Sequence, residues 1–200
     1  MSDTRTVEIS LHHHLSSVLP SLKASSIHTI IKAFKSIELP KGSFLVKSGE
    51  ICSLVAFIEK GVMRNYQYNS KGNEITTYLV DEGNFNTSYA SFFQQTSSTE
   101  SIVAVSDCRL AVLDFPRFAL LKNTSKVFSE IVDTFVVKGL QCKDERLTAY
   151  QTQDAKSRYN DLLINQPSIV RHTPIQHIAS YLGISRETLS RLRGKKYEAG

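Results

Sequence analysis

The stretch Thr173–Arg193 reads TPIQHIASYLGISRETLSRLR, and its pattern is typical of two short amphipathic helices. Thr173 and Gln176 form a T-x-x-Q capping box around Pro174, a combination that predicts the start of a helix. Gly183 stands where that helix needs a left-handed residue in order to end. The sequence therefore predicts a helix, a tight turn and a second helix at this end of the chain.

Each predicted helix has one apolar face. In the first, the apolar residues follow the spacing i, i+3, i+4 and i+7. They are Ile175, Ile178, Ala179 and Leu182. In the second, at about 100° per residue, the face toward the first helix holds Thr188, Leu189 and Leu192. Ser185 is placed to cap this second helix, and Glu187 falls in its first turn, where the helix dipole favours a negative charge.

The opposite face of the second helix is polar and predicts base reading in the DNA major groove. Arginine can donate two hydrogen bonds to a guanine edge, and glutamate can accept one from cytosine. The residues predicted to read bases are Arg186, Glu187, Ser190 and Arg191. The residues predicted to contact DNA phosphates are Thr173, Gln176, Ser185, Lys195 and Lys196. The alternative is an amphipathic helix whose charged face only meets water.

The charge distribution agrees with a polyanionic partner. The chain of 200 residues carries a formal charge of +5. Residues 151–200 contain eight basic and four acidic side chains, a local charge of +4, which leaves +1 for the first 150 residues. A basic segment on a near-neutral body is the electrostatic pattern of a protein that binds a phosphate backbone.

Residues 38–113 have a different texture, with short β-prone runs separated by glycines. The runs are Phe44–Val46, Leu54–Ile58, Val62–Tyr68, Ile75–Val80, Ile102–Val105 and Leu110–Leu113. Short strands with frequent turn signals predict an antiparallel sandwich or barrel. Asn69–Gly72 predicts a hairpin turn in which Gly72 takes a positive φ.

The remaining segments predict helices. Residues 1–37 have apolar residues at helical spacing. A long helix is predicted from about Ser125 to Tyr150, and a shorter one over residues 152–165 with Thr152 as its N-cap and Pro167 just beyond its end. The long helix has an apolar seam typical of a two-stranded coiled coil. The seam residues are Val132, Val136, Leu140, Lys143, Leu147 and Tyr150. The alternative is a helix packed on its own β-domain.

These predictions give an α+β chain in three parts. An N-terminal antiparallel β-roll with helices before it covers residues 1–121, a long connecting helix covers residues 122–150, and a helix-turn-helix domain covers residues 151–200. The long helix is the predicted contact between two copies of the chain.

Composition excludes several other classes. With 41% hydrophobic and 22% charged residues, the chain has an ordinary globular composition, and no apolar run approaches the roughly 20 residues of a membrane span. Cys52, Cys108 and Cys142 lie far apart, so neither a metal site nor an iron–sulfur cluster is predicted, and no cofactor is expected. His12–His14 receive no function. No nucleophile, phosphate-loop or metal motif predicts an enzyme. A cytoplasmic protein is expected, because the N-terminus does not resemble a secretion signal.

Residues 25–193 together resemble the cyclic-AMP receptor protein/fumarate–nitrate regulator (CRP/FNR) superfamily. The most specific motif is Gly183–Arg191, in which Arg186, Glu187 and Arg191 match the family's Arg-Glu-x-x-x-Arg set. The glycine spacing of the β-rich region is similar to that of the family's β-roll, so the resemblance implies a jelly roll of the kind that binds cyclic nucleotides. The resemblance implies a homodimer that binds near-palindromic double-stranded DNA with half-sites containing a GTGA-like core. It also leaves RNA polymerase open as a partner.

The effector pocket departs from the family pattern. The family holds a cyclic phosphate with a Phe-Gly-Glu-Leu motif and, ten residues after that glutamate, an arginine followed by Ser/Thr and Ala. Aligned without gaps between Gly83 and Cys108, this chain has serine in place of both the glutamate and the arginine. The altered pocket residues are Thr87, Ser88, Ser98, Thr99 and Glu100. Cyclic AMP binding in the family's manner is therefore not expected, and the effector is left unknown.

A second hypothesis stays open at this stage. A β-roll that senses a ligand could signal through a protein–protein contact, with the C-terminal helices serving as an interaction module. Retention on a DNA or heparin column with a steep salt dependence separates the two hypotheses.

Overall fold

The computed structural model describes residues 2–197 and the side chains of residues 6–194. Helices α1 (Ser2–Val18) and α2 (Ala24–Ile31) precede the β-region. The strands are β1 (Lys35–Leu39), β2 (Phe44–Val46), β3 (Leu54–Lys60), β4 (Met63–Tyr68), β5 (Glu74–Val80), β6 (Phe85–Asn86), β7 (Ser101–Ala104) and β8 (Cys108–Asp114). The later helices are α3 (Tyr89–Gln94), α4 (Phe115–Thr124), α5 (Lys126–Thr152), α6 (Ala155–Asn165), α7 (Pro167–His172), α8 (Ile175–Leu182) and α9 (Arg186–Tyr197).

The strands form two antiparallel sheets of four strands each, in the orders β1-β8-β3-β6 and β2-β7-β4-β5. Side chains from both sheets, from α1 and α2 and from the start of α5 share one hydrophobic core. Phe57 and Leu110 from one sheet and Met63 and Ile102 from the other are almost fully buried in it. The predicted α+β class with an antiparallel β-roll is confirmed.

The predicted hairpin turn is confirmed in detail. Gly72 has φ +77°, and its amide donates to the Asn69 carbonyl at 2.9 Å. The Asn69 side-chain oxygen accepts from the amides of Lys71 and Asn73, each at 3.0 Å. These bonds saturate the turn and fix the register of β4 against β5.

Sequence reasoning missed four short elements. Residues 35–37 were predicted as helix, yet Lys35–Leu39 pairs with β8 from Lys35 opposite Val112 to Leu39 opposite Cys108. β6, α3 and α7 were not predicted either. Each has two to six residues, so its local periodicity is too short to outweigh the neighbouring pattern and tertiary pairing decides its form.

Helix α5 changes its surroundings along its length. Ser125 caps it by accepting from the Phe128 amide at 3.2 Å, and Phe128, Ile131 and Val132 are buried in the β-roll core. Farther along, Leu140 and Leu147 are 62% and 58% exposed. The first half of the helix therefore packs on its own domain, and an apolar stripe emerges only later.

The predicted coiled-coil seam is corrected by this arrangement. Val132 lies in the β-roll core, and Val136 is partly buried against it. Tyr150, at the other end of the seam, packs against the turn at Gly183. The apolar spacing correctly predicts that one face of α5 is buried at its two ends. Spacing alone does not show whether that face packs on its own chain or on a second copy.

Helix α6 begins later than predicted, at Ala155. Helix α5 continues through Thr152, so Asp154 rather than Thr152 caps α6, accepting from the Ser157 amide at 2.7 Å. The helix ends at Gln166 as predicted, and Pro167 then opens α7.

No helix within residues 2–197 combines the length and apolarity needed to cross a bilayer.

A second hydrophobic core joins the β-roll to the C-terminal helices. Val62, Leu79 and Val105 of the β-roll pack with residues of α6, α7, α8 and α9. Ile178 and Leu189 are fully buried there. The amide of Thr76 on β5 also donates to the Ser180 hydroxyl on α8 at 2.9 Å. The C-terminal helices are thus held against the sheet by apolar burial and a directed hydrogen bond.

Gly61→Ala should destabilise the fold strongly. Gly61 has φ +102°, and a Cβ there would lie 2.6 Å from the Asp107 carbonyl oxygen and 2.7 Å from the Cys108 Sγ. We expect a loss of about 3 kcal/mol in the free energy of unfolding, measured by urea denaturation. Gly72→Ala is the control, because nothing lies within 4 Å of its Cβ position. Equal losses in the two variants would contradict the close packing at Gly61.

Candidate DNA-binding surface and effector pocket

Helices α8 and α9 meet at a short turn, as the sequence predicts. Gly183 ends α8 with φ +69°, and the Ile184 amide donates to the Ala179 carbonyl at 3.0 Å. The Ser185 hydroxyl caps α9 by accepting from the Thr188 amide at 3.1 Å. Ile178, Ala179, Leu182 and Leu189 are buried between the helices and the β-roll. The turn is therefore closed by its backbone and held by its apolar faces.

The start of α8 differs from the prediction. The helix begins at Ile175, with Pro174 in an extended conformation as its N-cap and no side-chain capping bond. Thr173 is only 6% exposed, and its Oγ1 has no hydrogen-bond partner. The predicted T-x-x-Q capping box therefore does not form, because extended Pro174 separates Thr173 from the first helical turn. Thr173 is also placed inside the protein rather than on the surface predicted to meet phosphates.

All four predicted base-reading side chains lie on the exposed side of α9. Arg186, Glu187, Ser190 and Arg191 are each exposed. The Arg191 guanidinium donates to the Thr188 hydroxyl at 3.3 Å, which directs it along the helix surface. The pKa of Glu187 is lowered by hydrogen bonds from its own backbone amide and from Ser185, with smaller contributions from Arg186 and Arg191. This face therefore presents arginine donors and an ionised carboxylate acceptor to solvent at neutral pH.

The predicted phosphate contacts are only partly located. Gln176 near the start of α8 and Ser185 in the turn are both exposed. The side chains of Lys195 and Lys196 lie outside the described residues. Arg193 is partly buried and donates to the Tyr159 hydroxyl on α6 at 3.2 Å. Its role in packing was not foreseen, because no local sequence signal links α9 to α6.

A polar cavity of about 640 Å³ lies between the β-roll and α5. Predicted pocket residues Thr87, Ser88, Thr99 and Glu100 line it. Ser98 lies behind the wall, with its hydroxyl 2.9 Å from that of Ser88. The two serines that replace the family's glutamate and arginine are therefore brought together, and they bind each other.

The charges of this cavity are divided between its two walls. On the β-roll wall, Asn65 and Asn86 form a reciprocal amide pair at 2.8 and 3.2 Å, and Asn65 also donates to the Glu100 carboxylate at 3.4 Å. Among the lining residues described, the cationic side chains are Lys143 and Arg146, and both come from α5. Sequence alignment identified one wall of the pocket and missed the other, since α5 joins it only through the tertiary fold.

Comparison with known proteins identifies the β-roll. Residues 36–124 match the family model described as the cyclic nucleotide-binding domain. No curated protein sequence matches the chain at a significant level.

Several solved structures share the fold along most of the chain. FixK2 from Bradyrhizobium japonicum superposes with a TM-score of 0.72 at 15% identity, over 84% of this chain and 86% of FixK2. The global regulator CLP of Xanthomonas campestris, described as responsive to c-di-GMP, gives 0.64 at 16% identity, over 89% and 93%. The catabolite activator protein of Thermus thermophilus gives 0.57 at 20% identity, over 92% and 87%.

These likenesses confirm the fold that the resemblance implies. At such low identities they establish shared architecture, from the β-roll through the long helix to the C-terminal helices. Residues 36–124 are thus similar to the cyclic nucleotide-binding domain family, and the chain as a whole shares the fold of FixK2, CLP and the Thermus thermophilus catabolite activator protein.

Proposed function

We propose that this protein is a sequence-specific transcription regulator that binds double-stranded DNA as a homodimer. The observation that carries the proposal is the division of α9 into two faces. Leu189 is fully buried on one side, while Arg186, Glu187 and Arg191 are exposed on the other. A helix fixed by its apolar face and bearing arginine and carboxylate side chains outward is suited to enter a major groove.

The exposed side chains suit direct base reading. An arginine that is not held in an ion pair can donate two parallel bonds to guanine O6 and N7. Neither Arg186 nor Arg191 is ion-paired among the described residues. Glu187, ionised at neutral pH, would accept from a cytosine amino group. Gln176 and Ser185 are proposed as phosphate contacts, together with Lys195 and Lys196.

The emerging stripe of α5 supports a dimer. Val137, Leu140 and Leu147 are 53%, 62% and 58% exposed, at spacings of three and seven residues. A stripe of this period is buried when a second copy of the helix packs along it. A two-fold dimer would present two copies of α9 to successive major grooves, as a near-palindromic site requires. RNA polymerase is proposed as the further partner of such a complex, and we propose no catalytic activity and a cytoplasmic location.

We further infer that the cavity does not hold cyclic AMP in the manner of the family. A cyclic phosphate needs a charge-assisted donor on the β-roll wall. That wall presents the Ser88–Ser98 hydroxyl pair and the carboxylate of Glu100. The carboxylate would repel the phosphate. Both hydroxyl hydrogens are already used, because Ser98 donates to the Glu100 carbonyl and Ser88 can then donate to Ser98. Another effector, or none, is compatible with these side chains.

Arg186→Ala and Arg191→Ala should each weaken binding to the selected DNA sequence by about 1–3 kcal/mol and relax the preference at one G·C pair. The measurement is fluorescence anisotropy with the selected duplex and with single-base variants of it. Lys195→Ala removes the same charge at a predicted phosphate contact and should weaken binding to all sequences alike. If Arg186→Ala left specific and non-specific affinity unchanged, the proposed base-reading role would be wrong.

Leu140→Glu should convert the dimer into a monomer, because it places a charge in the proposed apolar interface. Sedimentation velocity at micromolar concentration measures the change. Ile9→Glu is the matched control, since Ile9 on α1 is also 62% exposed but lies off the stripe. A monomeric wild type, or equal behaviour of the two variants, would contradict the proposed interface.

Titration calorimetry with cyclic AMP should give no saturable heat for the wild type. Glu100→Gln should also give none, because removing the repulsion does not supply the missing guanidinium. Tight stoichiometric binding by the wild type would overturn the inference about the pocket. Binding only by Glu100→Gln would show that the carboxylate alone prevents it.

A further inference from the structure

We propose that Arg146, Tyr150 and Arg158, here called the α8 clasp, are positioning residues that set the orientation of α9 for DNA. This inference rests on the proposed function and adds residues that lie outside both the base-reading face and the dimer stripe. Arg146 and Tyr150 belong to α5, and Arg158 belongs to α6. All three reach the last turn of α8, immediately before the turn that leads into α9.

The clasp binds the carbonyl end of α8. The Arg146 guanidinium donates to the Tyr181 carbonyl at 3.3 Å, and the Tyr150 hydroxyl donates to the same oxygen. Arg158 donates to the Leu182 carbonyl at 3.0 Å. The last carbonyls of a helix lack intrahelical partners and carry its partial negative charge. Two guanidinium groups and a hydroxyl therefore complete the α8 terminus by hydrogen bonds and by charge.

Stacking makes the clasp stiff. The Arg146 guanidinium lies 4.2 Å from the centre of the Tyr181 ring and 5.4 Å from that of Tyr150. Arg158 lies over the Tyr150 ring at 4.8 Å. Cations held over aromatic rings gain electrostatic attraction and lose freedom to reorient. The Tyr150 ring is consequently held between two cations, and the clasp joins α5, α6 and α8 as one unit.

The clasp also packs closely against the turn between α8 and α9. A Cβ on Gly183 would lie 3.0 Å from the Tyr150 ring, so the ring is packed directly against the turn. Arg146 also donates to the Thr77 carbonyl on β5, and the Arg158 guanidinium donates to the Gln153 carbonyl at the end of α5 at 2.5 Å. One arginine thus links the sheet to the turn, and the other links the end of the long helix to it.

This arrangement has a geometric consequence for a dimer. The α5 helices would form the interface, while each α9 reads one half-site. The distance and angle between the two α9 helices then depend on how firmly each turn is fixed to its own α5. The clasp supplies that connection, so it should control the tolerance for half-site spacing more than the affinity for one half-site.

Arg146→Gln tests whether the clasp controls the tolerance for half-site spacing. Lys138→Gln is the matched control, because it removes an exposed charge elsewhere on α5. Duplexes would carry the selected half-sites at the optimal spacing, with one base pair added, or as a single half-site. For Arg146→Gln we expect the dissociation constant at optimal spacing to rise about tenfold and the penalty for the added base pair to shrink. Single half-site affinity should change less than about twofold. Lys138→Gln should match the wild type in all three.

Hydrogen exchange of the peptide Tyr181–Leu189 supplies a readout that needs no DNA. Its amides should exchange about tenfold faster in Arg146→Gln than in Lys138→Gln. If circular dichroism shows that Arg146→Gln is unfolded, Tyr150→Phe replaces it, because this variant keeps the ring and removes only the hydroxyl. The amides of Tyr150→Phe should then exchange faster than those of Lys138→Gln and more slowly than those of Arg146→Gln. Unchanged spacing preference together with unchanged exchange overturns the clasp. Loss of all sequence preference in the wild type, with the exchange difference intact, instead overturns the proposed function and leaves the clasp as an interdomain link.

Discussion

The packing of α8 on the β-roll is the contact on which the rest of the arrangement depends. Val62, Leu79 and Val105 from the β-roll bury their side chains against Ile178, Leu182 and other residues of the C-terminal helices. Each fully buried aliphatic side chain contributes about 1.5–3 kcal/mol. The Thr76–Ser180 hydrogen bond adds direction to this apolar contact. Because α8 is fixed, the buried Leu189 can hold α9 against it with the arginines of α9 facing solvent. Arg146 of α5 and Arg158 of α6 can then reach the carbonyl end of α8.

The same geometry relates the cavity to the C-terminal helices. Thr77 and Arg146 both line the cavity, and the hydrogen bond between them continues through Arg146 to the Tyr181 carbonyl. A group entering the cavity would therefore meet a side chain that already holds the α8 turn. The β-roll wall has amides, hydroxyls and one carboxylate, whereas the cations stand on the helical wall. This separation of charge differs from the pattern of a pocket that binds a phosphate through its β-roll.

Sequence reasoning succeeded where one strong local constraint decides the structure. Gly183 and Ser185 specify the end of one helix and the start of the next, and Gly72 with Asn69 specifies a hairpin. It failed where tertiary packing decides between local alternatives. Thr173 had the chemistry of a cap, but extended Pro174 excluded it from the first turn. Val132 had the spacing of a dimer seam, but the β-roll core took its side chain.

The same distinction between local pattern and tertiary packing applies to the candidate site. The four residues proposed to read bases share one helix face, so periodicity alone brings them together. Alignment assigned Ser88 and Ser98 to the same pocket, and their hydroxyls meet in space. Arg146, Tyr150 and Arg158 could not have been grouped from the sequence, because they meet only after α5, α6 and α8 have packed.

Selection of bound duplexes from random DNA by the wild-type chain tests the central proposal most directly. The proposed function predicts enrichment of two inverted half-sites, about one helical turn apart between their centres, with guanines at conserved positions and a steep loss of binding with salt. Absence of any enriched sequence, with salt-insensitive retention on DNA, would contradict it.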